Sequence, residues 1–352
     1  MESKKILLVG YCNLYDGFLY SSNALKKFGY IMYFFPYMGF QNNNIHIDEI
    51  NMRLINFIIE NNISYILWWN NRISYKNIDF IIKNIYIKNK NIKNIFFNWD
   101  PYLYDYERYD CYYWKELIED RVNIYKLMNC TFSCFEREIN CLRNKTKITY
   151  LPPGFDPQIS KFEYDVDYEC DISIVCTNLY DDRSIFPIYS NNIERSDVVN
   201  MLYSVRDKIK FHIYGPEFLN EIYPECYKGF IEYNKSNKVF SNSKINLSLH
   251  PMTYSLHSPN SREDYFSERV PQILGCRGLL VSNSYYNNIL KDNIEYVFIG
   301  NNEWFDKIMY VLEHYDDYQY IKENGYQAAL ANYTWDKWAE KINHGVMNNF
   351  TF

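Results

Sequence analysis

Four short apolar runs, Lys5 to Gly10, Tyr30 to Phe35, Tyr65 to Trp69 and Ile92 to Trp99, are separated by stretches whose apolar residues recur at helical spacing. Runs this short and continuous read as strands buried on both faces. Strands alternating strictly with helices build a parallel sheet covered on both sides. The intervening helices are expected at about Asp16 to Phe28, stopped by Gly29, then at Met52 to Glu60 and Asn77 to Ile87. The series continues with a helix from about Lys115 to Leu127, a strand Thr131 to Phe135, a helix Glu136 to Leu142 and a strand Ile148 to Leu151. Leu-Pro-Pro-Gly-Phe-Asp-Pro (Leu151 to Pro157) then makes a stiff connector. Beyond it the alternation resumes: strand Asp171 to Cys176, helix Ser196 to Val205, strand Phe211 to Tyr214, a helical turn Val239 to Ser243 and strand Ile245 to Leu249. Glu295 to Ile299 is a last strand, followed by helices Trp304 to Glu313, Asp317 to Leu330 and Trp335 to His344.

A chain of 352 residues is long enough for two domains with separate cores. Its 47% hydrophobic and 23% charged residues give a globular balance, and the 19% aromatic share reads as the imprint of an AT-rich genome. The net charge of −6, with basic residues scattered, argues against nucleic acid as a partner, because such binding depends on neutralising phosphates. Nine cysteines without a CxxC pair suggest buried reduced thiols and no zinc. No apolar run approaches the roughly 18 residues of a membrane span, and no signal peptide precedes the first strand. The expected location is the cytoplasm.

The stretch Ser-Glu-Arg-Val-Pro-Gln-Ile-Leu-Gly-Cys-Arg-Gly-Leu-Leu-Val, from Ser267 to Val281, has the pattern of a short helix, a glycine turn and a buried strand. Ser267 is placed to cap that helix, whose free amides and partial positive charge would face an anion. Arg269 adds a full charge and a planar fork of donors, so a diphosphate would fit this corner. Taken alone, the same residues also make an ordinary helix–strand joint. His250, delivered by the strand Ile245 to Leu249, is either a core residue or an imidazole of near-neutral pKa able to hydrogen-bond a phosphate or sugar hydroxyl. Asp100, in Asn98-Trp99-Asp100-Pro101, closes a strand end and is either a turn residue or a group pointing into the ligand crevice. The polar loop from Met252 to Phe266, which includes Arg262, lacks any regular period, as functional loops often do.

The order of these features, with Ser241 to Pro251 before the stretch and Tyr333-Thr334-Trp335 after it, resembles the C-terminal half of the CgeB-like glycosyltransferases. In that family a segment of the type Ser-x-Arg-Val-x-Glu-x-x-x-Cys-Gly lies against the nucleotide sugar. The resemblance covers the second half well and the first half loosely. It implies a GT-B fold: two doubly wound, Rossmann-like α/β domains facing a central cleft. Residues 1–153 would take the acceptor and residues 154–332 the donor, and the helix in 333–352 would cross back to the first domain. Tyr227-Lys228-Gly229-Phe230-Ile231 resembles the family's next short strand, and an acidic Asp-Pro element after the fourth strand matches Asp100.

The implied activity is sugar transfer from a nucleotide-diphosphate sugar to an unidentified glycan, protein or small-molecule acceptor, with no metal and no further cofactor. Arg269, the amides near Ser267, and Lys244 or Arg262 would stabilise the departing diphosphate. The base or ribose would lie near Gly215 and Lys228. Asp181-Asp182 lacks the spacer of a manganese-binding Asp-x-Asp motif. An inverting enzyme would need a base on the acceptor side, for which Asp16 and Asp100 are the candidates. One departure stands out: the family glutamate that holds ribose or sugar hydroxyls aligns with Gln272, which carries no charge, and Glu268 one turn earlier is the residue able to compensate. That departure keeps two other readings open, an inert sugar-nucleotide or glycan-binding protein and a nucleotide-sugar epimerase.

Overall fold

Ile6, Leu7, Leu8 and Val9 are all fully buried in β1 (Lys4–Gly10), the run that anchors the first sheet. The computed structural model describes residues 4–10, 17–69, 73–98, 112–142, 144, 146–176, 179, 195–250, 266–286, 289–300 and 303–348. The chain divides into one unit of Met1–Pro152 with Trp335–Phe352 and another of Pro153–Thr334.

In the first unit β1 is followed by α1 (Gly17–Lys27), β2 (Tyr30–Phe35), α2 (Tyr37–Asn42), α3 (Ile47–Glu60), β3 (Tyr65–Trp69), α4 (Tyr75–Lys88), β4 (Lys93–Asn98), α5 (Tyr112–Leu127), β5 (Cys130–Ser133), α6 (Glu136–Leu142) and β6 (Ile148–Tyr150). The strands form one parallel sheet in the order β2-β1-β3-β4-β5-β6. Alternate residues of each strand feed two cores. Leu7, Val9, Ile66, Trp68 and Phe96 pack with α3 and α4, while Ile6, Leu8, Leu67, Trp69 and Phe97 face the other way. Period-two alternation on strands with apolar central runs is what a sheet covered on both faces requires. Helix α3 shows the matching helical spacing, burying Ile50, Leu54, Ile55 and Ile58, with the His46 side chain accepting from the Asp48 N–H at its start. Gly29, at φ +82°, ends the turn after α1 in a conformation that other residues adopt only with strain.

The second unit repeats the plan: β7 (Cys170–Val175), α7 (Arg195–Ser204), β8 (Phe211–Tyr214), α8 (Phe218–Ile222), α9 (Ser236–Asn242), β9 (Ser243–Ser248), α10 (Arg269–Gly275), β10 (Leu280–Ser282), β11 (Val297–Phe298), α11 (Trp304–Glu313) and α12 (Gln319–Asn332). Its parallel sheet has the order β11-β10-β9-β7-β8. One face packs on α7 and α11 through Val198, Val199, Leu202, Ile308 and Val311. The other packs on α9, α10 and α12 through Val239, Phe240, Ile273, Leu274 and Ala329. The last helix, α13 (Trp335–Met347), returns to the first unit, where Trp335, Trp338, Ala339 and Ile342 join the face that carries Trp69 and Phe97.

Three local features differ from the sequence reading. Helices α2 and α8, of 6 and 5 residues, are too short to show a period. The segment from Tyr227 to Ile231 is not a strand: Tyr227 makes one isolated bridge to Ile213, and Gly229 at φ +93° turns the chain away from the ladder. Helix α10 starts at Arg269, not at Ser267, and its N-cap position, Glu268, makes no side-chain capping bond.

The joint between α10 and β10 is close-packed. A methyl group on Gly278 would sit 2.7 Å from Asn246 Nδ2 and 2.8 Å from the Phe240 carbonyl oxygen. That carbonyl already accepts from Asn246 Nδ2 at 3.1 Å, so neither atom can retreat without losing the bond. Gly278→Ala is therefore expected to cost about 1–3 kcal/mol, seen as a lower melting temperature. An unchanged melting temperature would show that the joint yields.

Candidate functional site

In a doubly wound sheet the ligand crevice lies beyond the carboxyl ends of the strands, where successive crossovers leave in opposite directions. In the second unit that point lies between β7, whose crossover leads to β8, and β9, whose crossover leads to β10 on the far side. The helices that follow these strands each carry an arginine, Arg195 as the first described residue of α7 and Arg269 as the first residue of α10. Both guanidinium groups reach the same buried side chains electrostatically: Cys176, just past β7, and His250, just past β9. Burial pushes the Cys176 thiol up to about 11, against the pull of both arginines. Burial also holds His250 well below the usual imidazole range, and Arg269 and Arg195 push it further down. The imidazole is thus neutral rather than poised near pH 7.

His250 is built into the end of the sheet. Its N–H donates to Asn283 Oδ1 and its carbonyl accepts from Asn283 Nδ2, both at 2.8 Å. Its Nε2 lies 3.0 Å from Ser248 Oγ and 3.3 Å from the Tyr286 hydroxyl. Ser282 Oγ donates to the Ser248 carbonyl at 2.8 Å and sits 3.0 Å from the Tyr286 hydroxyl. Every residue of this group is buried. Just before α10, Ser267 Oγ is buried and has no hydrogen-bond partner among the described residues, so it does not cap the helix as its position in the sequence suggested.

The other expected donor-side residues divide. Gly215 lies at this end of the sheet: an added Cβ would meet the Cys176 carbonyl at 2.6 Å, and its N–H donates to the Gly229 carbonyl at 3.1 Å. Glu268 is partly buried next to Arg269. Gln272 is buried and its side-chain oxygen lies 3.2 Å from Ser236 Oγ, which ties it to α9. Lys244 is at the other end of β9 from His250, ion-paired with Asp171 at 2.8 Å. The ammonium of Lys228 acts on Cys170 at the start of β7 and on His212. The structure brings neither lysine to the arginine corner. Asp16, Asp100, Arg262 and Asp181-Asp182 lie outside the described residues. Arg195 went unnoticed in the sequence, although it lies on the helix that follows a switch-point strand, as Arg269 does.

Two buried imidazoles set a pH dependence. Burial, then Lys228 and Lys210, hold His212 down to about 4, with Asp171 opposing, and His250 is depressed as described. An unfolded histidine titrates near 6.5, so below that pH the unfolded chain binds protons that the folded chain refuses. Their stabilising contribution is complete above about pH 6.5 and falls as pH drops toward the folded values, by up to about 1.4 kcal/mol per unit and group. Urea unfolding at about pH 7 and pH 5 should show this loss, and His212→Phe should flatten it. An equal slope in wild type and variant would remove His212 from the account.

Comparison with known proteins bears on the fold and on the second half of the chain. A family model described as glycosyl transferase-like matches residues 195–344, a span that begins at Arg195 and includes Arg269. A search of curated protein sequences returned no match. Among solved structures, HepE from Anabaena in complex with UDP-glucose superposes with a TM-score of 0.67 at 9% identity, over 98% of this chain and 99% of that one. A UDP-forming α,α-trehalose-phosphate synthase from Burkholderia xenovorans gives 0.64 at 11% identity, over 99% and 100%. TarM gives 0.54 at 13% identity, over 82% of this chain and 55% of that one. The two parallel α/β units thus make a GT-B fold of the kind glycosyltransferases use, with the glycosyl transferase-like region in the second unit and α13.

Proposed function

We propose that this chain transfers a sugar from a nucleotide-diphosphate sugar, bound at the carboxyl end of the second sheet, to a separate acceptor. The observation that carries the reading is the pair Arg195 and Arg269, both bearing on Cys176 and His250 at the ends of the switch-point strands. A cation at the first position of a helix opposes the macrodipole, so local preference disfavours it. Arg269 stands against that preference at the start of α10, and with a second guanidinium bearing on the same side chains this is what an anion site calls for. As the anomeric C–O bond breaks, charge gathers on the departing diphosphate, and two planar guanidinium groups neutralise it without a metal. Ser267 Oγ and Glu268 supply further polar groups beside Arg269, the carboxylate being suited to hold sugar or ribose hydroxyls. Asp16 and Asp100 remain the proposed bases on the acceptor side, should transfer invert the anomeric centre. No cofactor beyond the nucleotide sugar enters this scheme. Among the described residues, no helix is long and apolar enough to cross a membrane.

Gln272 favours a second reading, a protein that binds the donor without turning it over, because it carries no charge and its side-chain oxygen lies against Ser236 Oγ. UDP-glucose, the ligand of the HepE structure, is the first probe. At a concentration of 100 times Kd it should stabilise the chain by about 2.7 kcal/mol, and UDP should be released when an acceptor is supplied. Stabilisation without UDP release would support the binding protein. A changed sugar without an acceptor would point to an epimerase, and no stabilisation by any nucleotide sugar would end the proposal.

A further inference from the structure

Lys5, Lys88, Lys90, Lys93, Lys126 and Lys147 are scattered along the sequence, and the first parallel sheet gathers them at one end. In such a sheet every strand starts at the same end, and the helices that run back between strands finish there. Backbone hydrogen bonds trace the resulting rim. The Ser64 N–H donates to the Lys5 carbonyl at 3.0 Å, the Lys93 N–H to the Ser64 carbonyl at 3.1 Å, and the N–H groups of Asn129 and Thr131 to the Asn94 and Lys147 carbonyls, both at 2.8 Å. From β1 through β3, β4 and β5 to β6 the rim spans about 19 Å at the usual strand spacing. Lys88 ends α4, Lys126 lies in the last turn of α5, and Lys90 follows α4 in the turn into β4.

Among the described residues none of these six lysines is in an ion pair, whereas Lys83, further back on α4, is paired with Asp79 at 2.6 Å. Glu60, the last residue of α3, is outnumbered on the rim. The carboxyl end of a helix favours a lysine, which accounts for Lys88 and Lys126. It does not account for Lys5, Lys90, Lys93 and Lys147, which lie outside the helices. Like charges gathered without partners repel one another, and an anion from outside relieves that cost. Two apolar side chains share this end: Ile87 is 76% exposed and Ile59 is 37% exposed, on the last turns of α4 and α3, which pack together. A single exposed isoleucine is ordinary. A pair of them set among unpaired lysines has the make-up of a surface that meets an anionic bilayer, with charge at the head groups and apolar side chains at the acyl boundary. The cations are lysines, compact charges suited to a mobile layer of head groups; a fixed phosphate is better gripped by the planar fork of arginine.

We infer that this rim of the first unit docks on an anionic lipid bilayer, with Ile87 entering the head-group layer beside Lys88. The carboxyl ends of the same strands, where a doubly wound sheet has its ligand crevice, then point away from the lipid. This docking is independent of the sugar transfer proposed above.

Co-sedimentation of the full chain with vesicles, of phosphatidylcholine alone or of equal parts phosphatidylcholine and phosphatidylglycerol, tests it. The wild type should bind the mixed vesicles and leave the neutral ones, and about 1 M salt, which shortens the Debye length to about 3 Å, should release it. The double variant Lys88→Ala, Lys90→Ala should lower the partition coefficient about 30-fold, at roughly fivefold per lysine. Ile87→Ser should lower it about 10-fold. Lys83→Ala should bind like the wild type. All four positions are exposed, so melting temperatures should stay at the wild-type value. No binding to the mixed vesicles, equal binding to the neutral ones, a double variant or Ile87→Ser protein that partitions like the wild type, or an equal loss in Lys83→Ala would each overturn the inference. Retention of a DNA duplex through the same lysines, with vesicles left unbound, would assign the rim to nucleic acid and overturn it too.

Discussion

Replacing Arg269 by alanine should weaken UDP-glucose binding by roughly 10- to 150-fold, the equivalent of about 1.5–3 kcal/mol for a charge-assisted hydrogen bond to a phosphate. Arg195→Ala should do the same, because both guanidinium groups bear on the same strand ends. If the two hold one diphosphate, the double variant should lose less or more than the sum of the singles, and a double-mutant cycle will report a coupling of about 0.5 kcal/mol or greater. Arg269→Lys keeps the charge and gives up the planar fork, so it should recover only part of the affinity. Binding is read by isothermal titration, and melting temperatures of the unliganded proteins show whether each variant is intact. Unchanged affinity in Arg269→Ala with an intact fold would take the diphosphate away from this corner.

The second large effect is one of stability. Trp338 is 2% exposed, and its ring lies 5.6 Å from that of Trp69 and 5.3 Å from that of Phe97, centroid to centroid. Truncation to alanine removes an indole from the centre of an aromatic cluster and should cost about 3–5 kcal/mol. The loss should fall on the first unit, to which α13 belongs, so in denaturant the transition of that unit should move while that of the second stays. Trp338→Phe should be far milder, since the indole nitrogen has no hydrogen-bond partner among the described residues and only ring area is lost. The ion pair between Lys27 and Asp336 is exposed at both ends and should add under 1 kcal/mol. A Trp338→Ala protein that unfolds at the wild-type denaturant concentration would mean that α13 is not held by this cluster.

Spacing alone puts His250 just past a strand and Arg269 at a helix start, and the same spacing argues against grouping Lys244 with them. Lys244 and His250 sit six positions apart on and just beyond one strand, and an extended chain separates such residues by about 20 Å. One donor corner could not hold both, and the structure gives Lys244 to Asp171 instead. Ser267 departs from its capping expectation for a different reason. A serine ahead of a helical run is a sound capping signal, but the first turn begins after Glu268 and leaves Ser267 Oγ buried without a partner among the described residues. Cap geometry depends on where the loop enters, and that entry angle is not encoded in the residues of the helix.

By itself the sequence determined the alternation of strands and helices, the two series on either side of the proline-rich connector, and Arg269 as a cation at a helix start. These are local properties, set by side-chain periodicity within a few residues. Only the tertiary structure decided that Arg195 bears on the same side chains as Arg269, that Gln272 answers to Ser236, and that His250 is kept neutral among buried hydroxyls. Each of those depends on strand order. The crossover that places β9 beside β7 brings together residues far apart along the chain, and burial at that seam sets the charge state of the group between them.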